Sequence, residues 1–156
     1  MIGRVRRAPT DARLISTLVA VLVAGGLLLA PAATAAASTY HGHIKGVPGG
    51  RFDLRFSRIG GRLFLNAIED ANTPVDCDNG PTILEGNMQF PPTSESRVRR
   101  GAFDVRQDNG NGDFQHVAGE LERRGKAVGT FKERITLGPP QGVCTTGKLE
   151  WVAKKL

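Results

Sequence analysis

The stretch Arg51-Phe52-Asp53-Leu54-Arg55-Phe56-Ser57-Arg58-Ile59-Gly60-Gly61-Arg62-Leu63-Phe64-Leu65-Asn66-Ala67-Ile68 decides how this chain is read. Its first six residues alternate strictly. An extended backbone therefore puts Phe52, Leu54 and Phe56 on one face and Arg51, Asp53 and Arg55 on the other. Gly60-Gly61 suits a tight turn, because glycine reaches positive φ without a Cβ clash. Arg62 to Ile68 then reads as the returning strand. A hairpin with one apolar face is at best marginal alone in water, so other strands must cover it.

Working outward from this hairpin, the same alternation recurs between turn residues, and no long segment keeps apolar residues at helical spacing. Upstream, Thr39 to Lys45 reads as a strand. Downstream, Glu69 to Pro81 is rich in Asp, Asn and Pro and reads as a loop, with Cys77 beside a turn-like Asp78-Asn79-Gly80. Thr82 to Phe90 is a strand stopped by Pro91-Pro92, and the polar residues 93–97 form a loop. Arg99 to Gln107 follows, with Phe103 and Val105 alternating against Asp104 and Arg106. Asp108-Asn109-Gly110-Asn111-Gly112-Asp113 reads as a turn. Phe114 to Leu121 and Lys126 to Leu137 read as two strands joined at Arg123-Arg124-Gly125. After Pro139-Pro140, a last strand from Val143 to Lys154 places Leu149, Trp151 and Ala153 on its buried face. The expectation is an all-β domain, an antiparallel meander of about eight strands forming a small barrel or sandwich. Its last strand is expected to pair near its first.

The beginning of the chain differs. Arg4, Arg6, Arg7 and Arg13 form a positive head, and Leu14 to Ala30 is apolar apart from Ser16, Thr17 and Gly25-Gly26. Pro31 and the small-residue runs Ala33-Thr34-Ala35 and Ala35-Ala36-Ala37 follow. This order matches a secretory signal, whose peptidase admits only small side chains at the cut. The expectation is a signal helix over residues 1–37, cleaved after Ala37 or Ala35, and a single β domain over 38–156. An uncleaved anchor is the alternative, since about 17 apolar residues is the lower limit for crossing a bilayer. The small residues and Pro31 favour processing, which leaves no stable membrane anchor.

Two cysteines, Cys77 and Cys144, fall in the exported part, where an even count reads as a disulfide. The part from Ser38 onward carries 17 Lys and Arg against 14 Asp and Glu, a net +3 where the whole chain has +6. Such a charge gives mild attraction to anionic surfaces and is not the footprint of a nucleic-acid reader.

Candidate chemistry is sparse, and no cofactor is implied. His41 and His43 share a strand face and are candidate metal ligands, with His116 a candidate third. The competing reading turns Tyr40, Gly42 and Ile44 inward and leaves both histidines in water. In the 108–113 run, Phe114 stands where a calcium loop needs glycine, which favours a solvated turn. None of the four serines after the signal sits in a nucleophile elbow. The carboxylates Glu69, Asp70, Asp76, Asp78, Glu120 and Glu122 offer glycosidase chemistry only by being present. Arg97, Arg99 and Arg100 form one basic cluster; Arg123 and Arg124, beside Lys126, form another. If their loops meet at one end, they make an anion-binding rim; the competing role is solubility and protected strand edges.

Tyr40-His41-Gly42, Cys77-Asp78-Asn79-Gly80, the strands holding Gly119 and Gly129, and Cys144-Thr145-Thr146-Gly147 before Trp151 form a wider pattern. Across most of the part after the signal it resembles a type of small secreted all-β domain of high-GC Gram-positive bacteria. That resemblance implies a scaffold and an export route, and no active site. The functional expectation is a secreted, non-enzymatic binding or interaction module. Its rigid scaffold would present loops 46–50, 69–81, 91–98 and 138–143 to an envelope polymer, a small ligand or an extracellular protein. An exported protease-type inhibitor braced by Pro91-Pro92 or Pro139-Pro140 is the alternative, and a small extracellular hydrolase is a third.

Overall fold

The computed structural model describes residues 37–156; all of the expected export segment except Ala37 lies outside them. The described residues form nine strands. These are β1 Ala37–Ile44, β2 Arg51–Ile59, β3 Arg62–Cys77, β4 Gly80–Gln89, β5 Ala102–Gly110, β6 Asp113–Leu121, β7 Lys126–Leu137, β8 Gly142–Thr145 and β9 Leu149–Lys155. All pairings are antiparallel, in the order β4-β3-β2-β1-β9-β7-β6-β5, and β8 pairs with both β3 and β7. Pairing therefore runs a full circuit through β3, β2, β1, β9, β7 and β8, and the sheet closes on itself. The last strand does pair with the first, Gly42 opposite Ala153 and Ile44 opposite Trp151.

Three expectations are corrected. Residues 69–77 are strand, because β3 continues through them with β4 on one side and β8 on the other. The polar Asp-Asn-Pro run is absorbed by an irregularity between Asp70 and Thr73, where Asn72 takes φ 54°. The expected last strand is two, because Gly147 turns the chain at φ 65° between β8 and β9. Finally, β5 begins at Ala102 rather than Arg99, and β5 and β6 extend into the 108–113 run, leaving Asn111-Gly112 as the turn.

The interior is packed with side chains. Phe52, Leu54 and Phe56 are all fully buried, as their alternation dictates. Trp151 stacks between Phe52 and Phe103 at centroid distances of 5.1 and 6.1 Å, and Phe131 and Tyr40 extend the aromatic cluster. Each such ring contributes roughly 2–3 kcal/mol by leaving water. Two glycines make room for the indole: a Cβ at Gly129 would lie 2.5 Å from it, and one at Gly119 2.7 Å.

Between β4 and β5 the chain is tied down as a strip. The Leu65 N–H donates to Ser96 O and Val98 N–H to Leu63 O, both at 2.9 Å. The 91–98 segment is thus strapped along β3, and the buried Ser96 hydroxyl donates to Pro91 O at 2.7 Å. Of the four segments expected to present themselves as loops, 69–81 is mainly sheet and 91–98 is this strap.

Candidate binding face at the basic end of the barrel

The sequence carries Arg-Arg-Gly twice, at 99–101 and 123–125, and the fold sets the two turns side by side. The first closes through Arg99 N–H to Ala102 O at 2.8 Å, the second through Glu122 N–H to Lys126 O at 2.7 Å. A bond from Leu121 N–H to Gly101 O, 2.8 Å, joins them directly. They use one backbone device: Arg100 and Arg124 take left-handed φ of 53° and 63°, each followed by a glycine at positive φ. A non-glycine residue there is uncommon and costs conformational energy. Arg99, Arg100, Arg123 and Arg124 are exposed, and none pairs with a carboxylate among the described residues.

Antiparallel pairing brings more positive charge to the same end. The C-terminal ends of β2, β6 and β9 lie beside the N-terminal ends of β1, β3, β5 and β7. Arg58 and Arg62 therefore flank the β2–β3 turn at this end, and Lys154 and Lys155 close β9 there. Two acids precede the second turn: Glu120, exposed on β6, and Glu122, which pairs with Lys126 at 3.1 Å.

Arg97 stands apart from the rim it was expected to join. It is half-buried opposite Phe64, with its Nε buried and unpartnered. With Arg99 it lines a groove of about 680 Å³ on the outer face of β5–β7, floored by Ala102, Ala118 and Val128 and edged by Glu95, Asp104 and Glu120. Opposite charges face each other across this groove, so it favours neither sign of ligand.

The histidines are not gathered into one site. His41 and His43 do face solvent on β1, but His41 Nδ1 lies 3.1 Å from Asp53, which also accepts from Gly42 N–H at 3.2 Å. His116 is on β6, 2.6 Å from Asp104 and two strands beyond β1's neighbour β9. Among the described residues no three His, Cys, Asp or Glu side chains are placed to hold a metal ion.

The candidate carboxylates scatter too. Glu69 pairs with Arg55 on the outer face, and Asp76 and Asp78 sit at the far end, where Asp78 accepts from Val143 N–H at 2.9 Å. Asp70 alone of these turns inward; the exposed Glu85 on β4 acts on it, and Asp70 in turn acts on Glu133, which the sequence reading did not single out. Asp70 and Glu133 are 2% and 5% exposed. Thr73 donates to Asp70 Oδ2, Gln115 to Glu133 at 2.6 Å, and Asp70 Oδ1 has no donor among the described residues. Burial raises both acids above the ordinary carboxylate range, more than these hydrogen bonds lower them; repulsion from Glu85 pushes Asp70 further up, and repulsion from Asp70 does the same to Glu133. The signal for Glu133 was present: it falls between Phe131 and Ile135 on the inward phase of β7.

At the disulfide end, Cys77 faces Cys144 across β3 and β8 and the two are bonded. Among the described residues no helix is long and apolar enough to cross a membrane. Compared with known proteins, the chain matches no family model, no curated protein and no solved structure.

Proposed function

We propose that this chain is a secreted, non-enzymatic binding module whose basic end holds an anionic component of the cell envelope or its surroundings. The observation that carries the reading is the pair of Arg-Arg-Gly turns, joined by a hydrogen bond and presenting four guanidiniums without carboxylate partners among the described residues. Guanidinium forks match phosphate and carboxylate oxygens, and charges spared from internal pairing remain available for such a ligand. Export rests on the basic head, apolar run and small-residue cut site, and the disulfide suits an oxidising compartment.

The test is retention on an immobilised polyanion over a salt series. The quadruple change of Arg99, Arg100, Arg123 and Arg124 to Gln should weaken binding at least roughly tenfold and flatten its salt dependence. Unchanged retention would remove the basic end from the function.

A further inference from the structure

The geometry points to a bilayer carrying anionic headgroups as the partner of this end, a reading that rests on the anion-binding role proposed above. The large apolar side chains exposed among the described residues are Ile59, Ile83 and Leu156. Two of them are at the basic end. Ile59, 45% exposed, closes β2 at the tip of the β2–β3 hairpin, opposite Arg62. Leu156, 82% exposed, follows β9 and donates its N–H to Thr39 O on β1 at 3.1 Å. Leu156 lies opposite Thr39 and so level with Arg55 on β2, while Ile59 is four residues further along β2; two strand spacings across and four residues along put them roughly 16 Å apart on this end.

Cations surround both. Arg58 and Arg62 bracket Ile59, and Lys154 and Lys155 precede Leu156. The Arg123-Arg124 turn reaches the same strand, with a Cβ built at Gly125 only 3.1 Å from the Lys155 Cβ. Beyond Ile59 the hairpin is Gly60-Gly61, so no side chain holds its tip away from a surface. A soluble polyanion offers guanidinium and ammonium groups everything they need and gives an exposed isoleucine nothing. A bilayer interface takes both: headgroup phosphates meet the cations while short apolar side chains enter the acyl boundary. Placed on a membrane, the barrel stands on this end, with the disulfide and the 138–141 turn facing away.

Co-sedimentation of the oxidised protein with vesicles of about one-third phosphatidylglycerol in phosphatidylcholine tests this, against pure phosphatidylcholine and soluble polyphosphate. Binding to the anionic vesicles should exceed that to neutral ones by roughly tenfold. Ile59→Ser and Leu156→Ser should each lower vesicle binding roughly threefold or more while leaving polyphosphate binding unchanged. Arg123→Gln with Arg124→Gln should lower both. If polyphosphate binds and vesicles do not, or if both serine variants bind vesicles like the parent, the bilayer assignment is overturned and the anion-binding role stands. Failure to bind either anionic probe overturns both. The two apolar side chains are exposed, so both serine variants should melt with the parent.

Discussion

At one end of this barrel Arg99, Arg100, Arg123 and Arg124 reach into solvent without a carboxylate partner among the described residues. At the other, charge is bound into the structure. Asp113 accepts from the backbone and hydroxyl of Thr136, Asp78 caps Val143 N–H, Asp108 takes three contacts from Arg106, and Lys45 holds Glu150. The disulfide closes the same end, and the buried acids Asp70 and Glu133 lie inside the barrel between the two. The contrast teaches that charge used internally fixes a scaffold, while charge left unpaired is available to a partner. A stability defect should therefore map to one end and a binding defect to the other.

The largest test of that division is the disulfide. Replacing Cys77 and Cys144 by Ser opens a loop with a separation of 67 residues. It should cost roughly 4 kcal/mol in denaturant unfolding, a large share of the about 5–15 kcal/mol a small domain has. The four-Arg variant of the basic end should change the same measurement by less than about 0.5 kcal/mol. Equal losses from both would erase the distinction between the ends.

Next in size is the core that both ends share. Gly129→Val would drive a side chain against Trp151 and the Ala118 carbonyl, costing about 3 kcal/mol. Tryptophan fluorescence followed through urea unfolding should show the midpoint falling. A variant of parental stability would show that β7 can move away from the indole.

A smaller effect separates the interior acids by pH. Their native pKa values are raised, so the folded state holds these protons more tightly than the unfolded chain does. Their contribution is fully present below the ordinary carboxylate range and is lost as pH rises through the raised native values. Asp70→Asn and Glu133→Gln should each remove part of that loss, gaining about 1 kcal/mol on the parent at neutral pH and nothing in acid. Asp113 and Asp108 run the other way, lowered chiefly by the hydrogen bonds of Thr136 and Arg106, so their contribution fades as pH falls. Thermal melts across a pH series would expose an opposite slope if Asp70 were ionised at no cost.

The smallest effect is at the two arginine turns. Arg100→Gly and Arg124→Gly relieve left-handed backbone at φ 53° and 63°, and each should stabilise by about 0.5 kcal/mol or less. Both should nonetheless weaken polyanion retention. Loss of stability together with loss of binding would mean that these arginines serve the fold.

Much of the fold was legible. The alternation of Phe52, Leu54 and Phe56, the Gly60-Gly61 turn and the inward Trp151 all follow from period two and turn chemistry, which act over a few residues. Residues 69–77 were misread for the same reason. Asp, Asn and Pro are turn formers in isolation, and only pairing with β4 and β8, from distant sequence, holds them extended. The break at Gly147 was hidden because one glycine among β-formers does not mark a turn. At the candidate site, both arginine clusters are visible as residues. That Arg97 is half-buried opposite Phe64 while Arg99 and Arg100 are exposed is not, because it depends on a pairing with a residue far off in the chain.

What the sequence by itself determined is local: which residues alternate, where the chain turns, and that two cysteines and two Arg-Arg-Gly turns exist. Tertiary structure alone decided that the sheet closes, that the interior is filled, and that both arginine turns, Ile59 and Leu156 share one end. The physical reason is that strand direction and register depend on hydrogen bonds between residues far apart in the chain, and no window of sequence contains both partners.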